Sequence, residues 1–259
     1  MRNISLTSSN LISKKILFID GLSRSAKSLL GPIIGSFKKT YPMQHQNLID
    51  NLLQLLQINL VSKNVCKSLI NIFLNESIYY LNLSRNVNFR PDDNSSVLKD
   101  KNYKLFIKNL TRKEGDQIIN QIKKDKKLPI YMSHDLLSVV DLLEKIIPDF
   151  RILHIIRNPI DNIFSFYSKY NKRYRGKKYN IDNPRFFSLA FKKNEKLFPY
   201  YAIKNSNFFL NLNNLEKATY YYLKIIEKSQ IKYKNFKNKK KIKIIPINNL
   251  VQNQNDIIN

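Results

Sequence analysis

The chain has 259 residues, 43% of them hydrophobic, which suffices for one large α/β domain with a full core. Its 45 Lys and Arg against 19 Asp and Glu give a formal net charge of +26, which favours anionic partners such as phosphate or sulfate esters, nucleic acid or acidic polysaccharide. A single cysteine, Cys66, excludes an internal disulfide framework. With one cysteine and three histidines in the whole sequence, we expect no zinc cluster. No window reaches the roughly 18 apolar residues of a membrane span. We therefore expect a metal-free cytoplasmic protein with one domain over 1–259 and a flexible segment at 1–14.

The first predicted elements are a strand, three helices and a long polar loop. A β-branched and aromatic run at 16–19 predicts a buried strand. Residues 27–37 predict a helix with one apolar face, formed by Leu29, Leu30, Ile33, Ile34 and Phe37. Leucine and isoleucine spacing then predicts two amphipathic helices, at 47–61 and 65–83, and a surface loop follows at 85–103.

The second half alternates strands and helices more clearly. The predicted elements are a helix at 113–124, a strand at 128–132, a helix from 136 to 147, a strand at 152–156, a helix from 159, a helix at 214–229, a Lys-rich turn at 234–241 and a strand at 242–247. This alternation predicts an α/β fold with a parallel central sheet between two layers of helices.

The turn after the first strand reads "DGLSRSAKS" and has the composition of an anion site. Backbone N–H groups at the start of a helix favour an anion, because the helix dipole and the unpaired donors both point to it. From Gly21 to Ser28 the spacing matches the phosphate-binding loop G-x-x-x-x-G-K-[ST], with Ala26 in the second glycine position. A residue with a negative φ would tolerate that alanine. The alternative is an ordinary turn with Arg24 and Lys27 in solvent.

A second polar stretch, "RNPIDNIFSFY", follows the strand at 152–156. Asn158 is placed to cap the next helix, with Pro159 as its first residue. Ser165 lies eight residues after Arg157, two turns along that helix. An arginine at the carboxyl end of a strand and a hydroxyl on the following helix can converge on one anionic group.

Together the two stretches resemble the P-loop sulfotransferases that use 3′-phosphoadenosine 5′-phosphosulfate (PAPS). The loop from Gly21 to Ser28 is similar to the family's G-L-S-R-S-G-K-S, and Arg157 to Tyr167 is similar to R-N-P-x-D-x-x-x-S-x-Y. The resemblance runs from about residue 15 to 250. Near the end, Asn248 and Asn249 stand where the family often has an acidic residue, and the chain is short relative to the family. It lacks the R-K-G-x-x-G element of cytosolic animal members, which indicates the bacterial type.

The resemblance implies a role for each matching residue. The residues implied to hold the 5′-phosphosulfate, with their backbone amides, are Gly21, Arg24, Ser25, Ala26, Lys27 and Ser28. Arg157 and Ser165 are implied to hold the 3′-phosphate. The implied reaction moves a sulfuryl group from PAPS to a hydroxyl or amine acceptor with no metal, and Arg24 and Lys27 would stabilise the departing group. We expect Asp161 to be structural, as a cap of its own helix. Phe164 and Tyr167 are expected to face the core and not to stack on the adenine, because Ile160, Ile163, Phe164 and Tyr167 make one apolar stripe.

The general base is left open among three side chains. His45 begins the helix after the loop helix, near the place where Golgi-type and many bacterial sulfotransferases carry a catalytic carboxylate. His134 follows a strand at a spacing close to that of the catalytic histidine in cytosolic members. His45 is slightly preferred, because the loop is more similar to the carboxylate-bearing branch, and Asp135 is a weaker alternative. His154, inside a strand, is expected to be packed in the core.

Three other interpretations remain. Lys27 and Ser28 suit a P-loop kinase or nucleotide hydrolase, although only Asp135 could then bind Mg²⁺ at the end of a core strand. The basic loop 171–185, with tyrosines interleaved, suits a nucleic-acid binder. A degenerate, non-catalytic relative is the third, suggested by Ala26 and the short C-terminus. For a sulfotransferase, the acceptor pocket is expected from 46–110 and 170–210, and loop 171–185 would favour an acidic saccharide or a phosphorylated acceptor. Oligomeric state is not encoded in any motif.

Overall fold

A computed structural model describes residues 6–8, 10–93, 96–100, 102–171, 173–174, 177–178 and 189–248. Within these residues the strands are β1 Ile16–Asp20, β2 Gln44–His45, β3 Ile130–Met132, β4 Phe150–Ile156, β5 Arg173–Tyr174, β6 Lys177–Lys178, β7 Ala190–Lys193, β8 Lys196–Pro199 and β9 Ile242–Pro246. The central sheet has the order β2-β3-β1-β4-β9, with every neighbouring pair parallel. The predicted parallel sheet is thereby confirmed.

Helices cover both faces of this sheet, as predicted for an α/β fold. In the described part of the chain they are α1 Lys27–Gly35, α2 Leu48–Gln57, α3 Lys63–Asn82, α4 Tyr103–Asn109, α5 Asp116–Asp125, α6 Val140–Ile146, α7 Pro159–Asn171, α8 Ser206–Asn211 and α9 Asn214–Asn235. Short 3-10 turns lie at Val97–Lys99, Leu136–Val139, Tyr200–Asn205 and Lys239–Lys241. None of the described helices has both the length and the apolarity that a bilayer span requires.

The larger core fills the side of the sheet opposite α1. Ile16 and Phe18 of β1 pack there with side chains from α2, α3 and α6. On the other face, Leu17 and Ile19 contact Leu30 and Ile34 of α1. Alternate strand residues thus point to opposite sides, as a sheet buried on both faces requires.

The predicted apolar face of α1 is only partly buried. Leu30 and Ile34 are covered, but Leu29, Ile33 and Phe37 are 58%, 40% and 43% exposed. Residues four apart form one ridge along a helix, and this ridge alone contacts the sheet. The five residues predicted on one apolar face are therefore not all buried.

Strand register brings polar side chains to one edge of the sheet. Asp20 of β1 pairs with His154 of β4, and both Ile19 and His45 are level with Met132 of β3. The carboxyl ends of parallel strands share one edge, where open α/β sheets bind ligands. The first polar stretch begins directly after this edge of β1, and the second directly after that of β4.

Candidate functional site

The turn after β1 has the backbone of an anion cradle. Gly21 has a φ of +136°, and a Cβ there would press on the carbonyl oxygen of Ile155 and lie 2.9 Å from Ser25 Oγ. Only glycine fits both conditions. Gly21 is therefore fixed by the close approach of the loop to β4.

Two further loop residues adopt left-handed conformations. Arg24 has a φ of 71° and Ala26 a φ of 69°, so the negative φ that would tolerate an alanine is not what the structure shows. A left-handed non-glycine residue costs about 1–2 kcal/mol. Ala26 is also the N-cap residue of α1, and it has no side chain that could accept from the first-turn amides. These amides, including those of Lys27 and Ser28, are donors to which an anion could bind.

The Lys27 ammonium lies beneath the loop and is buried. Its Nζ donates to the carbonyl oxygens of Gly21 and Leu22, the latter at 2.7 Å, and lies 3.3 Å from His134 Nδ1. Burial lowers the pKa of Lys27 to about 8, although nearby carboxylates, with Asp20 foremost, raise it. The interpretation that placed Lys27 in solvent is thus excluded, and the lysine holds the loop from below.

The two serines of the loop differ in access. Ser25 is buried, and its N–H donates to the Leu22 carbonyl at 3.1 Å while its hydroxyl faces Lys27. Ser28 is exposed in the first turn of α1. An anion at the helix start would therefore meet the hydroxyl of Ser28 without rearrangement, and that of Ser25 only from within the loop.

The two polar stretches contact each other at this edge of the sheet. Arg24 Nε donates to Ser165 Oγ at 3.0 Å, and Arg157 Nη1 donates to the carbonyl oxygen of Arg24 at 3.0 Å. Asn162 Nδ2 adds a bond to the Ser23 carbonyl at 3.2 Å. Within the described residues no carboxylate forms an ion pair with either arginine. The result is two uncompensated guanidinium groups at a helix start.

Helix α7 begins as predicted but turns a different face inward. Asn158 Oδ1 accepts from the backbone N–H of Ile160 at 2.9 Å, which confirms Asn158 as the cap. Phe164 and Ile160 are 64% and 77% exposed, so their expected place in the core was wrong. Phe166 is buried instead, stacked on Tyr221 of α9 with ring centroids 4.7 Å apart, because α7 packs against α9.

The other expected structural residues of α7 have mixed outcomes. Ile163 and Tyr167 pack against the core between α7 and α9, as expected. Asp161 is exposed in the first turn, and the side chain that caps the helix is that of Asn158.

Asp20 is a buried carboxylate at the end of β1. It accepts from Ser133 Oγ at 2.9 Å and from the backbone N–H groups of Leu136 and Leu137, both at 3.0 Å. His154 Nδ1 lies 2.9 Å from its other side. Burial alone would raise the pKa of Asp20, but the His154 bond and charge, with Lys27, outweigh it and hold this pKa below its usual value. His154 is therefore the partner of a carboxylate, whereas the sequence indicated simple core packing.

Two histidines that could serve as a base both lie at this edge of the sheet. His45 is exposed as a residue, and partial burial of its ring lowers its pKa below the ordinary value of 6.5. Burial and the charge of Lys27 lower the pKa of His134 to about 3. Because Nδ1 of His134 faces the Lys27 ammonium, we infer that its Nε2 carries the proton. His45 is thus the better proton acceptor of the two.

Two further carboxylates surround Lys27. Asp50 Oδ2 accepts from the backbone N–H of His134 at 3.0 Å, while its Oδ1 is buried without a hydrogen-bond partner. Burial raises the pKa of Asp50 well above its usual value. Sequence reasoning missed this residue, although it is the one acidic side chain of the otherwise apolar and amide-bearing α2.

Asp135 is committed to a structural role. Tyr200 donates its hydroxyl to Asp135 Oδ2, and the Tyr221 hydroxyl donates to Oδ1 at 3.2 Å. Burial raises the pKa of this carboxyl, although the two tyrosine bonds lower it. The Tyr221 oxygen also accepts from the backbone N–H of Ser23 at 3.2 Å, so Asp135 is connected to the loop through α9.

Parts of the expected acceptor region lie outside the described residues. The side chains of loop 171–185 are among these. Asn249 of the C-terminal segment also lies outside the described residues. The described remainder includes α2, α3, α4, the β7–β8 hairpin and the turn at Tyr200–Asn205. No sequence pattern had indicated α4, α8 or this hairpin.

Comparison with known proteins gives structural similarities alone. No family model and no curated protein matches the chain. A sulfotransferase domain from the Synechococcus PCC 7002 olefin synthase has a TM-score of 0.46 at 12% identity, covering 98% of this chain and 73% of its own. A sulfotransferase domain from the curacin biosynthetic pathway has a TM-score of 0.45 at 10% identity, with 97% and 72% covered. A sulfotransferase from Alicyclobacillus acidocaldarius has a TM-score of 0.43 at 10% identity, with 95% and 78% covered.

At identities of 10–12%, these similarities concern the fold alone and identify neither a sulfuryl donor nor an acceptor. What the chain is similar to is the fold of sulfotransferase domains.

Proposed function

We propose that the protein is a sulfotransferase that moves a sulfuryl group from PAPS to a hydroxyl or amine acceptor. The observation that carries this proposal is the contact of the two polar stretches, in which Arg24 bonds Ser165 and Arg157 bonds the Arg24 backbone. The contacting residues are 141 and 133 positions apart in the chain, and each stretch has basic and hydroxyl side chains that suit an anion. Their contact supports a site with two adjacent anion positions at one edge of the sheet.

A donor with two separate anionic groups fits this arrangement. The first-turn amides of α1 and the Arg24 side chain suit the 5′-phosphosulfate. Arg157 and the Ser165 hydroxyl, at the end of β4 and on α7, suit the 3′-phosphate. Because neither arginine has a carboxylate partner among the described residues, their charge is available to a ligand.

PAPS would supply the sulfuryl group, and the chain would supply position, charge and a base. The acceptor oxygen or nitrogen forms a bond to sulfur as the bond from sulfur to the bridging phosphate oxygen breaks. His45, neutral at pH 7 because its pKa is lowered, takes the acceptor proton. Arg24 and the loop amides face the negative charge that develops on the departing bisphosphate.

Lys27 would assist this step after a small movement. Its ammonium is held by the Gly21 and Leu22 carbonyls below the loop. An anion above the loop would compete with these carbonyls for the Lys27 ammonium. In a buried site from which water is excluded, a cation and an anion attract each other strongly. His134 would then orient Lys27 through Nδ1, and we give it this role in place of the base.

The kinase interpretation has less support from the same residues. Asp135 would have to bind Mg²⁺, yet both of its oxygens accept from tyrosine hydroxyls. Asp20 is likewise surrounded by Ser133, two backbone amides and His154. Both carboxylates would have to give up these bonds to bind a metal ion.

The test is turnover with a choice of nucleotide. The full chain is incubated with PAPS and a panel of saccharide, phenol and amine acceptors, and release of adenosine 3′,5′-bisphosphate is followed by anion-exchange chromatography. A parallel reaction supplies ATP with Mg²⁺ and follows ADP. We expect turnover of PAPS that Arg24→Ala abolishes and that Arg151→Ala, exposed at the start of β4 and outside the expected acceptor segments, leaves unchanged. Turnover of ATP without PAPS turnover, or of neither nucleotide with any acceptor, would overturn the proposal.

A further inference from the structure

A groove runs between α1 and the amino-terminal halves of the sheet strands, away from the edge that carries the two arginines. Helix α1 covers β1 and β3, but β4 and β9 extend beyond it. The groove encloses about 370 Å³. Its floor and walls are mostly apolar, with Leu17, Leu30, Ile34, Phe37, Leu153 and Ile245 among them.

The mouth of this groove is cationic. Arg151, Lys240, Lys241 and Lys243 line it, and none of the described residues that line it is acidic. Lys241 pairs with Glu144, and Arg151 lies 3.8 Å from Asp149. Lys240 and Lys243 are exposed, and within the described residues no carboxylate pairs with them.

Two observations show that this feature is separate from the donor site. The groove shares no lining residue with the loop from Gly21 to Ser28 or with Arg157 and Ser165. Arg151, at its mouth, stands at the start of β4, whereas Arg157 follows the end of that strand. A ligand in the groove would therefore leave both anion positions open.

We propose that the groove binds a free single-chain amphiphile with an anionic head, of the fatty-acid type. An alkyl chain would cover the apolar walls, and removal of this apolar surface from water stabilises the complex. The head would lie among Lys240, Lys243 and Arg151, and of these only Arg151 has a carboxylate partner, Asp149, within the described residues. A neutral or cationic head would gain nothing from these groups. A narrow groove of this volume suits one chain better than the flat surface of a bilayer.

The test uses calorimetric titration of the full chain with dodecanoate below its micelle concentration, beside butanoate. Two variants change the groove: Ile33→Glu, at its exposed edge on α1, and the double variant Lys240→Glu/Lys243→Glu. The matched controls on the exposed face of α3 are Ile72→Glu and Lys63→Glu/Lys67→Glu. Each control variant changes the charge of the protein by the same amount as its groove variant.

We expect dodecanoate to bind at least about tenfold more tightly than butanoate, a difference of about 1.4 kcal/mol. Each groove variant should lose at least about tenfold in dodecanoate affinity, while each control stays within about twofold. Equal losses in groove and control variants would show adsorption to a basic protein and overturn the proposal. The proposal would also be overturned if dodecanoate failed to bind while the protein cosedimented with anionic phospholipid vesicles and Ile33→Glu abolished this cosedimentation. That result would show that the face binds a membrane.

Discussion

Ala26 is the residue at which the loop departs most from the backbone preference of its side chain. Its φ of 69° favours glycine. Ala26 is also the N-cap residue of α1, and its methyl group cannot accept a hydrogen bond from the first-turn amides. The alanine must be held there by its surroundings. Lys27, bonded to the carbonyls of Gly21 and Leu22, is the side chain that holds the loop in this form.

We expect Ala26→Gly to stabilise the protein by about 0.5–1 kcal/mol, because relief of left-handed strain exceeds the entropy that glycine adds to the unfolded chain. Urea denaturation measures this free energy of unfolding. The control is Ala218→Gly, buried within α9, which should destabilise by about 1 kcal/mol or more. A loss of stability in Ala26→Gly equal to that of the control would contradict the strain.

The histidines should separate in a pH titration. We expect His45 to titrate somewhat below 6.5 and His134 to stay neutral at pH 5, since its pKa is about 3. Carbon and nitrogen NMR spectra of the labelled protein resolve this easily, because the chain has three histidines. His45→Gln and His134→Gln assign the signals. A titration of His134 near 6.5 would show that Lys27 does not face its ring.

The same histidine has a consequence for stability. The folded state binds the His134 proton only near pH 3, whereas the unfolded chain binds it near 6.5. The unfolded state therefore holds more protons between these values, and the free energy of unfolding falls as the pH drops below 6.5. His134→Gln should reduce that dependence.

At the scale of elements, α9 connects the loop to the end of β3. Tyr221 accepts from the Ser23 N–H and donates to Asp135, so one hydroxyl joins both segments. The same ring stacks on Phe166 of α7, the helix that carries Ser165. The long helix thus positions both halves of the candidate donor site.

We expect Tyr221→Phe to weaken binding of adenosine 3′,5′-bisphosphate several-fold while the fold is kept. It should also lower the free energy of unfolding by about 1–3 kcal/mol, because Asp135 and Ser23 lose a partner inside the protein. Tyr220→Phe is the matched control, since that neighbouring ring is also buried. Calorimetry and urea denaturation give the two values, and equal effects of both variants would argue against a role of the hydroxyl.

Sequence patterns were sufficient for the elements whose signals are local. The strand at β4 and the cap at Asn158 both follow from neighbours a few residues apart, whereas the need for glycine at position 21 includes the distant carbonyl of Ile155. The pairing of Asp20 with His154 depends on strand register across 134 residues, which no local pattern contains.

Helix boundaries show the same limit. Helix α9 continues to Asn235, past the predicted end at 229, and Lys232 and Lys234 in its last turn favour that continuation through the helix dipole. The burial of the α1 residues depends on which other elements cover that face of the sheet, and this is a property of the whole fold.

For the molecule as a whole, the two proposed ligand regions lie on one sheet. The chain has a net charge of +26. The proposed donor region lies at the carboxyl ends of the strands, and the groove lies toward their amino-terminal halves. Long-range attraction of anions would serve both, and it weakens as salt rises. Specificity must come from the short contacts of Arg24, Arg157 and Ser165.

The most direct measurement is a calorimetric comparison of adenosine 3′,5′-bisphosphate with adenosine 5′-phosphate, which lacks the 3′-phosphate. In the wild type the extra phosphate should tighten binding about 10–100-fold, as expected for hydrogen bonds to a charged group. In Arg157→Ala that ratio should fall to about threefold or less. Arg151→Ala, at the opposite end of β4, should keep the wild-type ratio. An unchanged ratio in Arg157→Ala, or no binding of the bisphosphate at all, would contradict the assignment of the two anion positions.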